Sequence, residues 1–202
     1  MSRFSFIAAG ACAVAVTVSV AAQQKTPVQV PNPNNPQITT LEDQYVRVAY
    51  NNEGYAIMGY RLTQGLVGKE WIRLEVGTTL REGKPRYALK RSDITLDTPD
   101  GKHLALPSNA EFQQVDLRGL DQQAAVINDS INYFPPTARG ACRLAFFAEP
   151  QGGQRAYDVT DIDPTRGCLG RLYFKIPGGL QYGQHFLNIQ FATSKVRVPF
   201  KI

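Results

Sequence analysis

Two cysteines, Cys142 and Cys168, are the side chains whose chemistry the sequence specifies best. The third cysteine, Cys12, lies within residues 1–22, which have the pattern of a secretory signal peptide. There Arg3 precedes a run of apolar and small residues that ends in a small-residue cleavage site. Removal of this segment leaves two cysteines in an oxidising compartment, where one disulfide is the expected state. Their spacing does not match a C-x-x-C motif, so we predict a Cys142–Cys168 disulfide rather than a redox or metal pair.

Two alternatives exist for residues 1–22. Lipid attachment at Cys12 is disfavoured because Ala9 stands where a leucine-like residue is expected and the apolar run continues past the cysteine. Retention as an uncleaved anchor is disfavoured because alanine, glycine and serine make a poor permanent span. We therefore expect cleavage after residue 22, no membrane span in the mature protein, and a periplasmic or secreted location.

The two histidines, His103 and His185, do not predict a metal site. A blue-copper site needs two histidines, a cysteine and usually a methionine in fixed geometry. Met58 is present, but no cysteine has a matching spacing to a histidine, and both cysteines are expected to be oxidised. We expect His185 to be a core residue whose ring bonds one backbone group, and His103 to lie on the surface. No cofactor is predicted.

Three aspartates, Asp158, Asp161 and Asp163, lie within six residues of one another. Their carboxylates are the ligands that Ca²⁺ prefers, although the spacing matches no EF-hand loop. Arg155 and Arg166 offer simpler partners, so an ion-paired loop is the favoured interpretation and calcium binding stays open. Asp158 and Asp161 are also the candidates for a paired-carboxylate active site, which leaves no local sequence signature.

Other function classes lack their signatures. The chain has no G-x-S-x-G nucleophile elbow and no phosphate-binding P-loop. The net charge is +5, but no run of four or more basic residues occurs, which argues against nucleic-acid binding. The sequon at Asn128 falls in a predicted helix of a chain whose signal looks bacterial, so chance explains it.

The organisation is simple. Residues 23–40 hold four prolines among glutamine, asparagine and threonine, which predicts a disordered linker. Residues 41–202 form one domain with a dominant hydrophobic period of two, typical of strands. We predict strands near 45–50, 56–62, 71–80, 94–98 and 103–106, and three more towards the C-terminus. Pro199 predicts that the last strand lies at a sheet edge.

One segment breaks the period of two. Ser108 and Glu111 have the spacing of a capping box, and apolar residues recur at helical spacing from Leu120 to Phe134. We expect Gly119 to interrupt this helical pattern and Pro135 to end it. The sequence predicts a short helical insertion at about 109–131 over one end or face of a mainly β, antiparallel sandwich.

Residues 170–202 resemble the last three strands of secreted bacterial immunoglobulin-like β-sandwich domains. A Pro-Gly turn ends one strand, and Gly183, His185 and Leu187 then stand at the positions of a Gly-x-aromatic-x-aliphatic strand. The lone tryptophan, Trp71, precedes both cysteines, unlike the tryptophan of antibody domains. The resemblance implies a fold and no function, because such sandwiches share architecture without sharing sites.

These observations predict an exported, non-enzymatic binding or cell-envelope interaction module. The partner is expected to be an envelope protein or a glycan, bound by the insertion and its flanking residues 132–136. An extracytoplasmic enzyme using Asp158 and Asp161 is the first alternative. A small outer-membrane β-barrel is the second, disfavoured by short strands and many prolines.

Overall fold

The computed structural model describes residues 38–41, 44–127, 129–148 and 155–202. The predicted signal peptide at 1–22 and residues 23–37 of the predicted linker lie outside these ranges, as does Asn128 of the sequon. The end of the predicted linker is corrected, because residues 38–40 belong to the first strand. Pairing with the next strand draws these residues into the sheet, and a proline-rich composition just before them does not prevent it.

The described residues are mainly β, as predicted from the period of two. Two 3-10 helices, Arg61–Gly65 and Arg91–Asp93, lie between strands. The strands and α-helices are, in chain order, β1 (Ile38–Leu41), β2 (Val46–Tyr50), β3 (Gly54–Gly59), β4 (Trp71–Leu80), β5 (Tyr87–Lys90), β6 (Ile94–Asp97), β7 (His103–Ala105), α1 (Asn109–Gln113), α2 (Arg118–Val126), β8 (Gly140–Arg143), β9 (Val159–Ile162), β10 (Arg166–Lys175), β11 (Gln184–Gln190) and β12 (Lys195–Lys201).

Three sheets arise from these strands. The largest has the order β1-β2-β3-β4-β10-β8, the second has the order β12-β11-β6-β7, and β5 pairs with β9. Neighbouring strands are antiparallel except β8 and β10, which run parallel. The predicted edge position of the Pro199 strand is confirmed, because β12 ends the four-stranded sheet. There the missing amide of proline costs no ladder hydrogen bond.

One hydrophobic core joins the six-stranded and four-stranded sheets. Alternate residues of β4 and β10 are buried in it, together with alternate residues of β11 and β12, as the pattern predicted. The fully or almost fully buried members of these strands include Ile72, Leu74, Val76, Leu172, Phe174, Leu187, Ile189, Val196, Val198 and Phe200. We call the other face of the six-stranded sheet, which carries Arg73 and Glu75, the outer face.

A buried carboxylate ties two strand connections together at one end of this core. Glu53, which is 8% exposed, accepts hydrogen bonds from the Thr193 amide at 3.1 Å and the Ser194 hydroxyl at 2.6 Å. Burial alone would raise the pKa of Glu53, but the hydrogen bonds from Ser194 and Thr193 hold it below its usual value. The β2–β3 turn is therefore fixed to the β11–β12 turn.

The predicted helix at 109–131 is corrected to two short helices followed by irregular chain, which is neither helix nor strand. The capping box is confirmed, since the Glu111 amide donates to the Ser108 hydroxyl at 3.1 Å and the Glu111 carboxylate accepts from the Ser108 amide at 2.8 Å. Gly119 lies inside α2 rather than interrupting it. The helical stripe fails at its end, because Ile127 is 42% exposed and Ile131 is buried in non-helical chain.

This irregular chain packs on the outer face of the six-stranded sheet. Ile131 is buried there with Val48 and Ile57, and Phe134 packs against the same cluster. A Cβ atom at Gly167 would come within 2.6 Å of the Phe134 ring, so glycine permits this close approach. Packing on the hydrophobic surface of the sheet, which strands distant in sequence form, thus outweighs the local preference for a helix.

Candidate functional site

The predicted disulfide is present between Cys142 of β8 and Cys168 of β10. The two residues are directly opposed in the parallel pair, with Cα atoms 4.3 Å apart. Cys168 is fully buried in the core, whereas Cys142 is only half-buried. The bond therefore fastens the edge strand β8 to its neighbour β10.

An open pocket of about 280 Å³ lies beside Cys142, which forms part of its lining. Strands β4 and β10 supply one side of the lining with Glu75, Leu169, Gly170, Arg171 and Tyr173. Strand β8 and the chain after it supply the other side with Arg143, Leu144, Phe147 and Ala148. We call this the outer-face pocket. A Cβ at Gly170 would come within 2.5 Å of the Leu144 side chain and carbonyl oxygen, so glycine allows the two sides to meet.

Aromatic rings make one wall of the outer-face pocket rigid. The rings of Phe147 and Tyr173 meet edge to face with centroids 5.2 Å apart, and Phe112 of α1 packs 4.7 Å from Tyr173. The Arg91 guanidinium lies 4.9 Å from the Phe147 ring centroid. Such aromatic and cation–π contacts hold both rings in place.

The lining of the outer-face pocket includes charged side chains of both signs. Arg171 and Glu75 are directly opposed on neighbouring strands, but Glu75 is ion-paired with Arg73. Among the described residues, Arg171 has no ion-pair partner, and its side chain is exposed. Arg143 contributes a second guanidinium to the lining. A cationic group thus adjoins apolar and aromatic surface, an arrangement that suits an anionic ligand.

A buried ionic network holds Tyr173, which lines this pocket. Arg73 is 5% exposed and donates to the Asp121 carboxylate of α2 at 2.9 Å, in addition to its ion pair with Glu75. The Tyr173 hydroxyl donates to the same Asp121 oxygen at 2.6 Å. Burial, and then the hydrogen bond to Asp121, raise the pKa of Tyr173 well above its usual value. The phenol therefore stays protonated and holds α2 against the sheet.

The three predicted carboxylates do not converge. Asp158 is 83% exposed and pairs with Arg91, while Asp161 is 55% exposed and lies 3.8 Å from Arg86. Asp163 binds Thr165 and Arg166. Among residues 38–41, 44–127, 129–148 and 155–202, no group of three or more histidine, cysteine or acidic side chains could hold a metal ion. Neither Asp158 nor Asp161 lines the outer-face pocket.

Both histidines lie where the sequence placed them. His185 is fully buried, stacks on Phe200 at 5.2 Å, and has Nδ1 3.2 Å from the Gly183 carbonyl oxygen. Burial lowers the pKa of His185, because the buried ring resists a positive charge. His103 is 59% exposed and bonds Asp97 at 2.5 Å.

A second, shallower pocket lies on the outside of the four-stranded sheet. It has a volume of about 570 Å³ and is lined in part by Asp97, Phe186 and Arg197. The Arg197 guanidinium stacks 3.5 Å from the Phe186 ring centroid and bonds Asp97 at 3.2 Å. The ion pair and the stacking contact engage the Arg197 guanidinium, so it is less available to a ligand than the guanidinium of Arg171.

Arg171 was not among the binding residues that the sequence predicted. The alternation along β10 was the available signal. The parallel neighbour β8 and the approach of Phe147 are what make a pocket there, and neither follows from a local pattern. Residues 132–136, which were expected to bind a partner, lie beside this pocket's sheet but do not line it.

Comparison of the chain with protein-family models, with curated proteins and with solved structures finds no match. Within the described ranges, the helices are too short or too polar to cross a membrane. The interpretation of the site therefore rests on its own geometry and charges.

Proposed function

We propose that this protein is an exported, non-enzymatic binding module of the cell envelope, and that it binds its ligand in the outer-face pocket. The observation that carries the proposal is the Arg171 guanidinium, which has no ion-pair partner among the described residues and lies beside a wall formed by Phe147 and Tyr173. Binding sites combine concave apolar surface with a few placed polar groups, and this pocket has both.

The disulfide supports an extracytoplasmic location, since such bonds persist in oxidising compartments. A periplasmic or secreted protein also fits the signal pattern of residues 1–22. We further propose an immunoglobulin-like sandwich, supported by the core shared between two sheets and by the C-terminal hairpin of β11 and β12. The consecutive neighbours β1 to β4 and the parallel β8–β10 pair differ from the usual Greek-key order.

Ligand-observed NMR with a library of small envelope-type compounds, including sugars, amino acids and organic acids, tests the proposal. We expect binders that the Ala148→Trp variant no longer binds, because the indole occupies space at the pocket wall. Ala141→Trp is the matched control, since Ala141 is exposed on β8 and does not line the pocket. Binding should persist in that variant.

Two results would overturn the proposal. Binders that Ala148→Trp and Ala141→Trp retain equally would place the site elsewhere on the protein. Chemical conversion of a bound compound, abolished by Asp158→Asn or Asp161→Asn, would instead identify an enzyme that uses paired carboxylates.

A further inference from the structure

We propose that the ligand of the outer-face pocket is a small ring-bearing carboxylate, whose anionic group binds Arg171 and whose ring lies against the apolar wall. This inference rests on the proposed function and adds the chemical class of the ligand. It follows from the charges at the pocket, from its volume and from the position of its apolar residues.

The charge of the pocket selects an anion. Arg171 is exposed and has no ion-pair partner among the described residues, while the opposing Glu75 is already engaged by Arg73. A guanidinium presents a planar pair of N–H donors that matches the two oxygens of a carboxylate. Arg143 also lines the pocket, while the carboxylate of a ligand can pair with the Arg171 guanidinium itself.

The volume of the pocket suits a ligand of about one small ring. At about 30 Å³ for each water molecule, 280 Å³ has room for about nine waters. A single six-membered ring with one carboxylate has a similar number of non-hydrogen atoms. A longer chain or a disaccharide would have to extend beyond the pocket into solvent.

The apolar residues determine how such a ring would lie. Leu144, Phe147 and Leu169 line the pocket together with Arg171, so one ligand can contact both kinds of surface at once. Phe147 and Tyr173 are held by aromatic contacts, and Tyr173 is also held by Asp121. A wall fixed before binding reduces the ordering cost of binding.

The test compares benzoate with benzamide, its neutral isostere, on the full-length protein by chemical-shift titration. We expect benzoate to bind about tenfold or more tightly than benzamide, because a charge-assisted hydrogen bond to arginine is stronger than a neutral one. The Arg171→Gln variant should bind both probes with the weak affinity of benzamide. Phenylphosphonate is the third probe and distinguishes a phosphonate-selective site from a carboxylate site.

Arg86→Gln provides the matched control, since Arg86 is 65% exposed and does not line the pocket. It should keep the preference for benzoate. Equal binding of benzoate and benzamide would overturn the anionic class while leaving a binding pocket in place. Tighter binding of phenylphosphonate would overturn the carboxylate assignment. Binding of none of the three would overturn this inference, whereas the compound library with Ala148→Trp decides the proposed function separately.

Discussion

At the scale of single residues, burial determines what each titratable group can do. His185 and His103 have the same side chain, but one is fully buried against Phe200 and the other is 59% exposed beside Asp97. The same contrast separates Glu53, which is held by four hydrogen bonds, from Asp158, which lies 83% exposed. Residue type alone does not distinguish the members of each pair. Only the surroundings show what each group does.

The buried His185 predicts a specific dependence of stability on pH. Its pKa is lower in the folded protein than the value of about 6.5 in the unfolded chain, so the unfolded chain binds the proton more readily. The contribution of His185 to stability is therefore fully present above about pH 6.5. It is lost as the pH falls towards the lowered pKa of the folded protein. Each pKa unit of difference between the folded and unfolded states corresponds to about 1.4 kcal/mol in the free energy of unfolding. Urea unfolding between about pH 5 and pH 8, the range over which histidine titrates, measures this loss.

His185→Phe should remove this component, because phenylalanine keeps the stack on Phe200 and carries no proton. His103→Gln is the control and should retain the loss, because His103 is exposed on the outside of the four-stranded sheet. If His185→Phe lost stability with falling pH as steeply as the natural protein, another group would be responsible.

At the scale of elements, local patterns predicted strands better than they predicted the insertion. The strand predicted at 71–80 is β4 over the same residues, because a period of two reports directly which face of a strand is buried. The insertion has helical spacing from Leu120 to Phe134, but only its first part is helical. Ile131 and Phe134 pack on the sheet from non-helical chain, since the surface they cover is formed by distant strands.

The ionic network beneath α2 predicts how this helix is held. Asp121→Asn should lower the free energy of unfolding by about 2 kcal/mol, because it weakens charge-assisted bonds to the buried Arg73 and to Tyr173. Asp116→Asn is the matched control, because its partner Arg118 is 77% exposed. That control should leave stability unchanged.

Urea unfolding measures both variants, and amide hydrogen exchange locates the effect. Exchange should increase in α2 of Asp121→Asn and not in the β11–β12 hairpin. An Asp121→Asn variant as stable as Asp116→Asn would show that the network does not hold the helix.

At the scale of the whole molecule, the disulfide connects stability and the pocket. It fastens the edge strand β8 to β10, and these two strands provide much of the pocket lining. Closing a loop of sequence separation 26 stabilises the folded chain by roughly 3.5 kcal/mol in the chain-entropy model. For a domain of this size that corresponds to a fall in Tm of roughly 7–14 °C on reduction.

Expression in bacteria with the natural N-terminus tests this prediction. The periplasmic protein should have the mass of a chain that begins at Gln23, contain no free thiol, and lose thermal stability in reductant. Cys142→Ala/Cys168→Ala should melt near the temperature of the reduced protein and not respond to reductant. A protein that remained in the cytoplasm at its full mass would contradict export.

The sequence by itself predicted β2–β4, β6, β7 and β10–β12, the edge position of β12 and the identity of the cysteine pair, but it did not predict β1, β5 or β9. These features are local, because alternation along a strand and the chemistry of proline or cysteine can be read without knowing the neighbouring strand. The tertiary structure alone decided the parallel β8–β10 pair, the packing of Ile131 and Phe134 on the sheet and the buried network around Arg73. Each joins residues far apart in the chain, and the free energy of such contacts depends on which surfaces meet. The pocket at Arg171 belongs to this second group, since two strands and a following segment must come together before it exists.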